Sequence, residues 1–346
     1  MMPSLWIICH AALLVTKIVC SADTVIEIDE DLRRPIWNVA HMVNALYQAD
    51  YYLDMGANAL EFDIAFDWEG TAKYTFHGIP CDCFRSCIRY EHFITYIDYM
   101  RKLTTPGHPQ YNRNLILLFM DLKLKGLSPA AKARAGEDIA KKLLDYYWIQ
   151  GTSGARAYIL ISIPSISHID FLRSFRRAMA KVENASFYDD KIGFDFSGIE
   201  ELNSIRNVYE DLSITSHIWQ GDGITNCLPR GIARLRDALF RRDQPGLTYI
   251  EKVYWWTVDK MSTMRTTLRL GVDGMITNYP DRLVSVLEED EFAGKLRLAT
   301  YEDVPWSKYS RRTEDLITGS HQARGGNLTH EDFMREDDDE LLYNCE

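Results

Sequence analysis

The run ALEFDIAF at residues 59–66 is short and almost continuously apolar, interrupted by the two acidic residues Glu61 and Asp63. It contains aromatic and β-branched side chains, which favour β-strands. A strand with one face in water alternates apolar and polar residues, whereas a strand buried on both faces is apolar almost throughout. Residues 59–66 therefore predict a buried strand of a parallel sheet.

Seven more runs of this kind occur along the chain, and segments with apolar residues three and four positions apart separate them. Eight strands alternating with helices predict an α/β fold, a (β/α)8 TIM barrel formed by a single domain at residues 35–310. An open doubly wound sheet is the alternative, which is disfavoured because no Gly-x-Gly-x-x-Gly turn follows the first strand. The other predicted strands are 35–41, 115–123, 158–164, 191–197, 214–220, 252–259 and 274–279, and the predicted helices are 43–55, 91–103, 129–147, 167–182, 228–240, 261–270 and 281–289.

The negative charge of the chain is concentrated at its two ends. The 346 residues carry a formal net charge of −11. Residues 311–346 contain 10 acidic and 4 basic residues, whereas residues 35–310 are nearly balanced, with 35 acidic and 32 basic residues. No basic block of the kind that binds a phosphate backbone is present, so we expect no nucleic-acid partner.

The ends of the chain also indicate where the protein is found. Residues 5–15 form an apolar run that suits the core of a signal peptide at residues 1–21 better than a membrane span, although a short buried helix is the alternative. We therefore expect a secreted, extracellular protein with no transmembrane segment. Residues 22–34 are interpreted as a leader or propeptide, and residues 311–346 as a polar, flexible tail.

Four cysteines remain in the predicted barrel, Cys81, Cys83, Cys87 and Cys227, and a secreted protein favours disulfide bonds between them. Cys227 is expected to bond to Cys81 or Cys83, and the other of these two to Cys87. A zinc site is disfavoured by the spacing. Two cysteines belong to the predicted signal peptide and Cys345 is left over; the glycosylation acceptors are Asn184 and Asn327.

Polar residues cluster near the carboxyl ends of the first three predicted strands, where a barrel carries its active site. Buried carboxylates need a cation to neutralise them, and three oxygen ligands suit one Mg²⁺ ion. Two histidines beside such an ion predict a metal-assisted phosphoester site with acid–base catalysis. Taken singly, these residues are also typical of helix caps, ion pairs and core histidines. The cluster comprises His41, Glu61, Asp63, His77, Asp121 and Lys123.

At these residues the sequence resembles the arachnid venom sphingomyelinase D family, also called phospholipase D or dermonecrotic toxins. The matching motifs extend from residue 33 to about residue 306 and cover the whole predicted domain. They are RRPIWNVAHMVNA, GANALEFDIAFD, YTFHGIPCDC, LFMDLK, GFDFSG, DGITNC, VYWWTVDK, GVDGMITNYPD and ATYEDVPW. The resemblance implies a distorted (β/α)8 barrel related to the glycerophosphodiester phosphodiesterases, with ATYEDVPW as a plug at its lower end.

Residue by residue, the resemblance implies a complete active site. His41 and His77 match the catalytic acid/base pair, the three carboxylates match the Mg²⁺ ligands, and Lys123 matches a phosphate-contacting lysine. It also implies the two-disulfide subtype, with Cys81–Cys87 and Cys83–Cys227. The residues expected to line or support the site are Asp82, Trp256, Asp259 and Asn278.

The resemblance implies an enzyme that releases choline, or sometimes ethanolamine, from sphingomyelin and lysophospholipids at a membrane or lipoprotein surface. Attack by the lipid's own hydroxyl would leave a cyclic phosphate, so the reaction is a lyase step. We expect a monomer. The alternatives are a glycerophosphodiester phosphodiesterase-like hydrolase and a catalytically silent lipid-binding homologue. The sequence departs from the family pattern at Ala40, where glycine is usual, and at Gly221, where serine is common.

Overall fold

Eight parallel strands close into a barrel in the part of the chain that the computed structural model describes, residues 32–244, 249–308 and 341–343. The first strand pairs with the last and also with the second, which completes the ring. The sequence prediction of a (β/α)8 barrel is therefore confirmed. The barrel strands are β1 Arg34–Ala40, β2 Ala59–Phe66, β5 Leu117–Lys123, β6 Tyr158–Ile163, β7 Ile192–Phe196, β8 Ile218–Gly223, β10 Lys252–Trp256 and β11 Gly274–Thr277.

Among the described residues, five shorter strands lie outside the eight-stranded ring. β3 (Ala72–Thr75) and β4 (Glu91–His92) extend β2 as an antiparallel hairpin, and they lead into and out of the loop that carries His77. β12 (Leu296–Leu298) pairs in parallel with the start of β1. Away from the ring, β9 (Pro229–Gly231) and β13 (Leu341–Tyr343) form a two-stranded antiparallel sheet.

Helices surround the barrel and follow most of its strands. Ser128 caps one of them, since its hydroxyl accepts a hydrogen bond from the Ala131 amide (3.2 Å) and Pro129 fills the first helical position. No helix in the described residues has the length and apolar character that a bilayer span requires. The helices are α1 Leu46–Asp54, α2 Phe93–Thr104, α3 Pro129–Lys142 with a π-helical turn at Leu143–Tyr147, α4 Ile169–Met179, α5 Ala185–Asp189, α6 Leu202–Asp211, α7 Ala233–Asp243, α8 Met261–Leu270 and α9 Pro280–Leu287.

The inside of the barrel is filled by its own apolar cluster and is closed at the amino-terminal end of the strands. Trp37 and Trp219 meet edge to face inside the ring, with centroids 5.5 Å apart. The Trp219 indole donates a hydrogen bond to the Pro305 carbonyl (3.0 Å), and Trp306 packs in the same cluster. Residues 299–306 thus seal this end, which leaves the carboxyl ends of the strands as the open face.

Secondary structure was predicted wrongly in three places, one of them the predicted helix 228–240, whose first residues form strand β9 (Pro229–Gly231). The strand predicted at residues 214–220 instead spans Ile218–Gly223. The prediction ended too early because glycine and aspartate are depleted in strands, whereas Gly221 and Asp222 are buried in this one. A side chain at position 221 would meet the Tyr254 ring, since a Cβ built there lies 2.5 Å from it. The helix Leu202–Asp211 was not predicted. The predicted signal peptide, most of the leader, Asn327 and Cys345 lie outside the described residues.

Candidate active site

Three carboxylates converge at the open end of the barrel. β2 and β5 are neighbours in register, so Asp63 lies directly opposite Asp121, and Glu61 projects to the same side as Asp63 from two residues earlier. One oxygen of each carboxylate lies within 4.8 Å of the other two. Glu61 and Asp63 are buried, and Asp121 is partly buried. The arrangement places three acidic groups in one small, mostly dry volume.

Lys123 only partly neutralises this cluster. Its Nζ lies 2.6 Å from Asp63 Oδ1 and 2.7 Å from Asp121 Oδ2. Burial alone would raise the pKa of Asp63, but Lys123 and the Asn44 hydrogen bond lower it. Burial and the Asp63 charge raise the pKa of Glu61 to about 8. With one lysine for three carboxylates, the protein without a cation therefore favours a proton on Glu61 near neutral pH.

The cluster has the properties of a site for a hard divalent cation. Its ligand atoms are all carboxylate oxygens, the type of ligand that suits hard cations such as magnesium and calcium. Among the described residues Asp121 Oδ1 is buried without a hydrogen-bond partner, so it has a lone pair available. A divalent ion held by Glu61, Asp63 and Asp121 would take the place of the proton on Glu61. The three residues therefore fit a metal.

His41 lies at the end of β1 with the orientation of its ring fixed by acceptors. Its Nδ1 lies 3.1 Å from Asn278 Oδ1 and 3.1 Å from Asp82 Oδ2, and both of these are acceptors. Nδ1 therefore carries the hydrogen, which leaves Nε2 for chemistry. Burial would lower the pKa of His41, but the hydrogen bond and charge of Asp82 outweigh it, so the pKa is raised. Asp82 thus stabilises the protonated ring.

His77 faces the same cavity from the loop after β3. Its Nδ1 donates to the Gly78 carbonyl at 2.7 Å, so its Nε2 is also available. The two imidazole rings are nearly perpendicular, with centroids 6.3 Å apart. This separation allows a group between them to exchange one proton with each ring.

A buried hydrogen-bond network supports His41 from behind. Asn278 donates from Nδ2 to Asp82 (3.1 Å) and to Asp259 (2.8 Å), and Thr225 donates to Asp82 (2.7 Å). Burial would raise the pKa of Asp82, but the His41 bond and these donors hold it well below its usual range. Asp82 therefore remains ionised, and Asn278 presents its oxygen to His41.

Two disulfides shape the loop that carries His77 and Asp82. Cys81 bonds to Cys87, which closes a small ring, and Cys83 bonds to Cys227, which ties the loop to the segment after β8. This pairing agrees with the one that the family resemblance implied. The loop is thereby joined to the barrel on the side opposite β3.

Most of these groups line one cavity of about 770 Å³. Its walls expose mostly apolar side chains, including Ile199, Leu228 and Trp256. The Trp256 indole nitrogen is buried without a hydrogen-bond partner among the described residues, so it can donate to a ligand. Of the predicted site residues, His41, Glu61, His77, Asp82, Asp121, Lys123 and Trp256 line the cavity, while Asp63, Asp259 and Asn278 lie directly behind it.

The sequence predictions missed two supporting residues. Arg85 reaches out of the disulfide loop to the carbonyl of His41 and the side-chain oxygen of Asn278, and its guanidinium lies over the Tyr52 ring, 5.2 Å from the centroid. Asn44 donates to Asp63 Oδ2 (2.6 Å) and accepts from the Asp63 amide. Asn44 lies inside a motif that the sequence analysis singled out. Arg85 had no comparable signal, because arginines are common in surface loops.

The family profile and the curated relatives identify one family. The profile of the family described as dermonecrotic toxin SPH matches residues 31–306. A dermonecrotic toxin of Sicarius terrosus is 56% identical over 278 residues, covering 80% of this chain and 100% of that toxin. One of Loxosceles boneti is 54% identical over 275 residues, covering 80% and 99%. Similar solved structures include an Oleispira antarctica phosphodiesterase in complex with sn-glycerol-3-phosphate, at 12% identity and a TM-score of 0.48, covering 72% of this chain and 96% of that one.

Proposed function

The chain belongs to the dermonecrotic toxin SPH family, the sphingomyelinase D family of phosphodiesterases, and from this premise we propose that it is a secreted, Mg²⁺-dependent phospholipase D-type lyase. Its substrates would be choline- or ethanolamine-headed sphingomyelin and lysophospholipids. One observation carries the proposal: a cluster of three carboxylates, two of which line the cavity, lies beside a lysine and two histidine Nε2 atoms at one cavity with apolar walls.

The binding of the phosphate is the first task of these residues. Glu61, Asp63 and Asp121 would hold the magnesium ion, which when bound supplies positive charge for the phosphate oxygens. Lys123 contacts two of these carboxylates and lines the cavity, so it adds a second cation on the same side. Fixed positive groups would thus stabilise the negative charge of the phosphoryl oxygens in the transition state without reorganisation of the site.

The two histidines can then move one proton each. His41 Nε2 accepts the proton of the lipid hydroxyl as its oxygen bonds to phosphorus, and Asp82 stabilises the imidazolium. The bond from phosphorus to the head-group oxygen breaks, and His77 Nε2 donates a proton to that oxygen. Choline leaves with its hydroxyl protonated and its ammonium charge retained, and the lipid retains a cyclic phosphate. Both rings end in the opposite protonation state and exchange protons with water afterwards.

Apolar side chains around the cavity mouth support a lipid surface as the place of action. Phe84 is 94% and Ile79 86% exposed, and both belong to the loop that carries His77. Ile88 is exposed in the same loop, and Ile199 and Leu228 are exposed at the cavity in the segments after β7 and β8. Exposed apolar groups clustered at a binding site are typical of contact with a protein or a membrane.

Product analysis tests the proposed function directly. Purified protein with sphingomyelin and Mg²⁺ should release choline and leave ceramide cyclic phosphate as the first lipid product, resolved by phosphorus NMR. A linear ceramide phosphate as sole initial product would instead identify a hydrolase. Lipid binding with no product in Mg²⁺ would identify a silent homologue.

Removing the exposed apolar side chains should weaken action on membranes specifically. Phe84→Ser and Ile79→Ser each remove a side chain whose burial is worth about 1.5–3 kcal/mol, so we expect vesicle turnover to fall roughly tenfold or more. Turnover of a monomeric short-chain lysolipid should stay unchanged. Phe187→Ser, an exposed aromatic that does not line this cavity, is the matched control. Equal losses on vesicles and monomers would contradict the membrane role.

Arg85 should act as a positioning residue for His41. Arg85→Met removes the contacts to the His41 carbonyl and Asn278, and we expect kcat/KM to fall by about tenfold to hundredfold, as small misplacements of reacting groups do. Because the Arg85 charge opposes protonation of His41, its loss should also raise the His41 pKa and move the acid limb of the kcat/KM profile to higher pH. Arg89→Met, exposed in the same loop, is the control. An unshifted profile would leave Arg85 with a purely structural role.

A further inference from the structure

A strand from the C-terminal part of the chain lies behind one wall of the candidate active site. β13 pairs antiparallel with β9, with Leu342 opposite Arg230 and Leu341 opposite Gly231. Among the described residues β9 has no other strand partner. The family match ends at residue 306, so β13 lies outside the part of the chain that the family shares.

β9 belongs to the wall of the cavity. Arg230 lines the cavity, as does Leu228, which directly precedes the strand. The Arg230 guanidinium donates from Nε to Asp222 Oδ1 at 2.8 Å, and Asp222 is fully buried near the end of β8. Cys227 ties the same segment to Cys83 in the loop that carries His77. The position of β9 therefore affects the mouth of the cavity, while the disulfide holds the catalytic loop in the absence of β13 as well.

β13 gives β9 a pairing strand that is anchored in the apolar core. Pro229 provides no amide hydrogen, and an isolated strand of three residues has little stability of its own. Leu342 is 5% exposed and packs in the main apolar core, so β13 is anchored there. Residues directly opposite in an antiparallel pair project to the same face, which places Leu342 on the face of Arg230. Leu342 is not among the residues that line the cavity, so its place is behind the wall and not inside the opening.

We propose that β13 is a positioning element of the active site: by pairing with β9 it keeps Leu228 and Arg230 at the cavity mouth and so sets how tightly the lipid binds. The inference rests on the proposed function for its kinetic consequence. Among the described residues, and apart from the pairing with β13, the hydrogen bonds of Arg230 and Leu228 go to Asp222 and Thr225 and not to a metal ligand or a catalytic histidine, so we expect loss of β13 to act on KM. We expect KM for lysophosphatidylcholine to rise roughly tenfold, while kcat and the pH profile stay unchanged.

Two truncations and one substitution test this inference. A chain ending at residue 340 lacks β13, a chain ending at residue 343 retains it, and Leu342→Asp disrupts its anchor. We expect the chain ending at 343 to match the full chain, and the other two to show the raised KM. A synthetic peptide of residues 337–346 carrying Cys345→Ser should restore the KM of the chain ending at 340. The same peptide with the additional change Leu342→Asp should not.

Hydrogen exchange separates this inference from the proposed function. The backbone amides of Arg230 and Gly231 should exchange faster in the chain ending at 340 and slow again with the peptide, whether or not the lipid is cleaved. A full chain without activity but with this protection would overturn the proposed function and leave the docking of β13 intact. Three outcomes would overturn the positioning role of β13. They are unchanged exchange of these amides, a lower KM after truncation, and a loss in kcat and melting temperature that the peptide does not reverse.

Discussion

Replacing His77 by asparagine is expected to lower kcat on sphingomyelin by about 10²–10⁴, and replacing His41 by asparagine is expected to do the same. Each imidazole presents Nε2 to the cavity because its Nδ1 donates to a fixed acceptor, Gly78 for His77 and Asp82 with Asn278 for His41. Asparagine retains a polar group of similar size but cannot accept and release a proton near neutral pH. Rates at saturating substrate measure the loss.

The leaving group distinguishes the two roles. A lysophosphatidyl ester whose head group is p-nitrophenol needs no proton on its leaving oxygen, because p-nitrophenolate is a stable anion. His77→Asn should therefore cleave this ester nearly as fast as the unmodified protein does. His41→Asn should remain impaired, since the attacking hydroxyl still has to lose its proton. Rescue of the His41 variant and not of the His77 variant would reverse the assignment, and rescue of neither would exclude His77 as the acid.

A surface histidine provides the control for both substitutions. His108 does not line the cavity, and its Nδ1 accepts a hydrogen bond from the nearby Gln110 amide. His108→Asn should leave both substrates unaffected. Circular dichroism of the three variants should be the same, because His41 and His77 contribute to no strand pairing. Activity within twofold of the unmodified protein for either active-site variant would contradict the acid–base mechanism.

The barrel was predictable because its strands are buried on both faces. Residues 59–66 and 261–270 fall on the observed strand and helix without adjustment. Prediction failed at β8, where burial of Gly221 and Asp222 comes from packing against Tyr254 and pairing with arginines, which no local pattern shows. β13 had no signal either, because a three-residue strand in a polar segment depends on a partner far away in sequence.

The candidate site likewise has one part that the sequence predicts and one part that it does not. Residues that lie on neighbouring strand ends were predicted as a group, because strand order in a barrel follows chain order. The residues that hold this group in place come from loops. Arg85 reaches His41 only because two disulfides fold the loop back over the barrel, and that geometry depends on contacts distant in sequence.

Removing divalent cations with a chelator should abolish activity and also make the protein less stable at pH 8 than at pH 6. Without a cation the pKa of Glu61 rises from 4.5 to about 8 in the folded protein. Between these values the folded state holds a proton that the unfolded state has lost, so the free energy of unfolding falls as the pH rises through this window. Thermal unfolding in chelator at several pH values measures the slope.

Magnesium should reverse both effects. The ion takes the place of the proton on Glu61, so its affinity should increase with pH, and at 100 times its dissociation constant it would stabilise the fold by about 2.7 kcal/mol. Activity should return with it, because Lewis-acid stabilisation of a phosphoryl transition state is worth several kcal/mol. The same titration should not stabilise Asp121→Asn to this extent, since that variant loses one of the three carboxylates.

Glu61→Gln isolates the cause of the pH slope. Glutamine is neutral at every pH and similar in shape, so this variant should decline less steeply in stability from pH 6 to pH 8 in chelator and should respond little to magnesium. Burial also raises the pKa values of Asp195 and Glu251 to about 7, so these two carboxyls should account for the decline that remains. Glu210→Gln, an exposed carboxylate paired with Arg206, should keep the full slope. If Glu61→Gln declined as steeply as the unmodified protein, the charge that opposes folding at high pH would lie on a group other than Glu61.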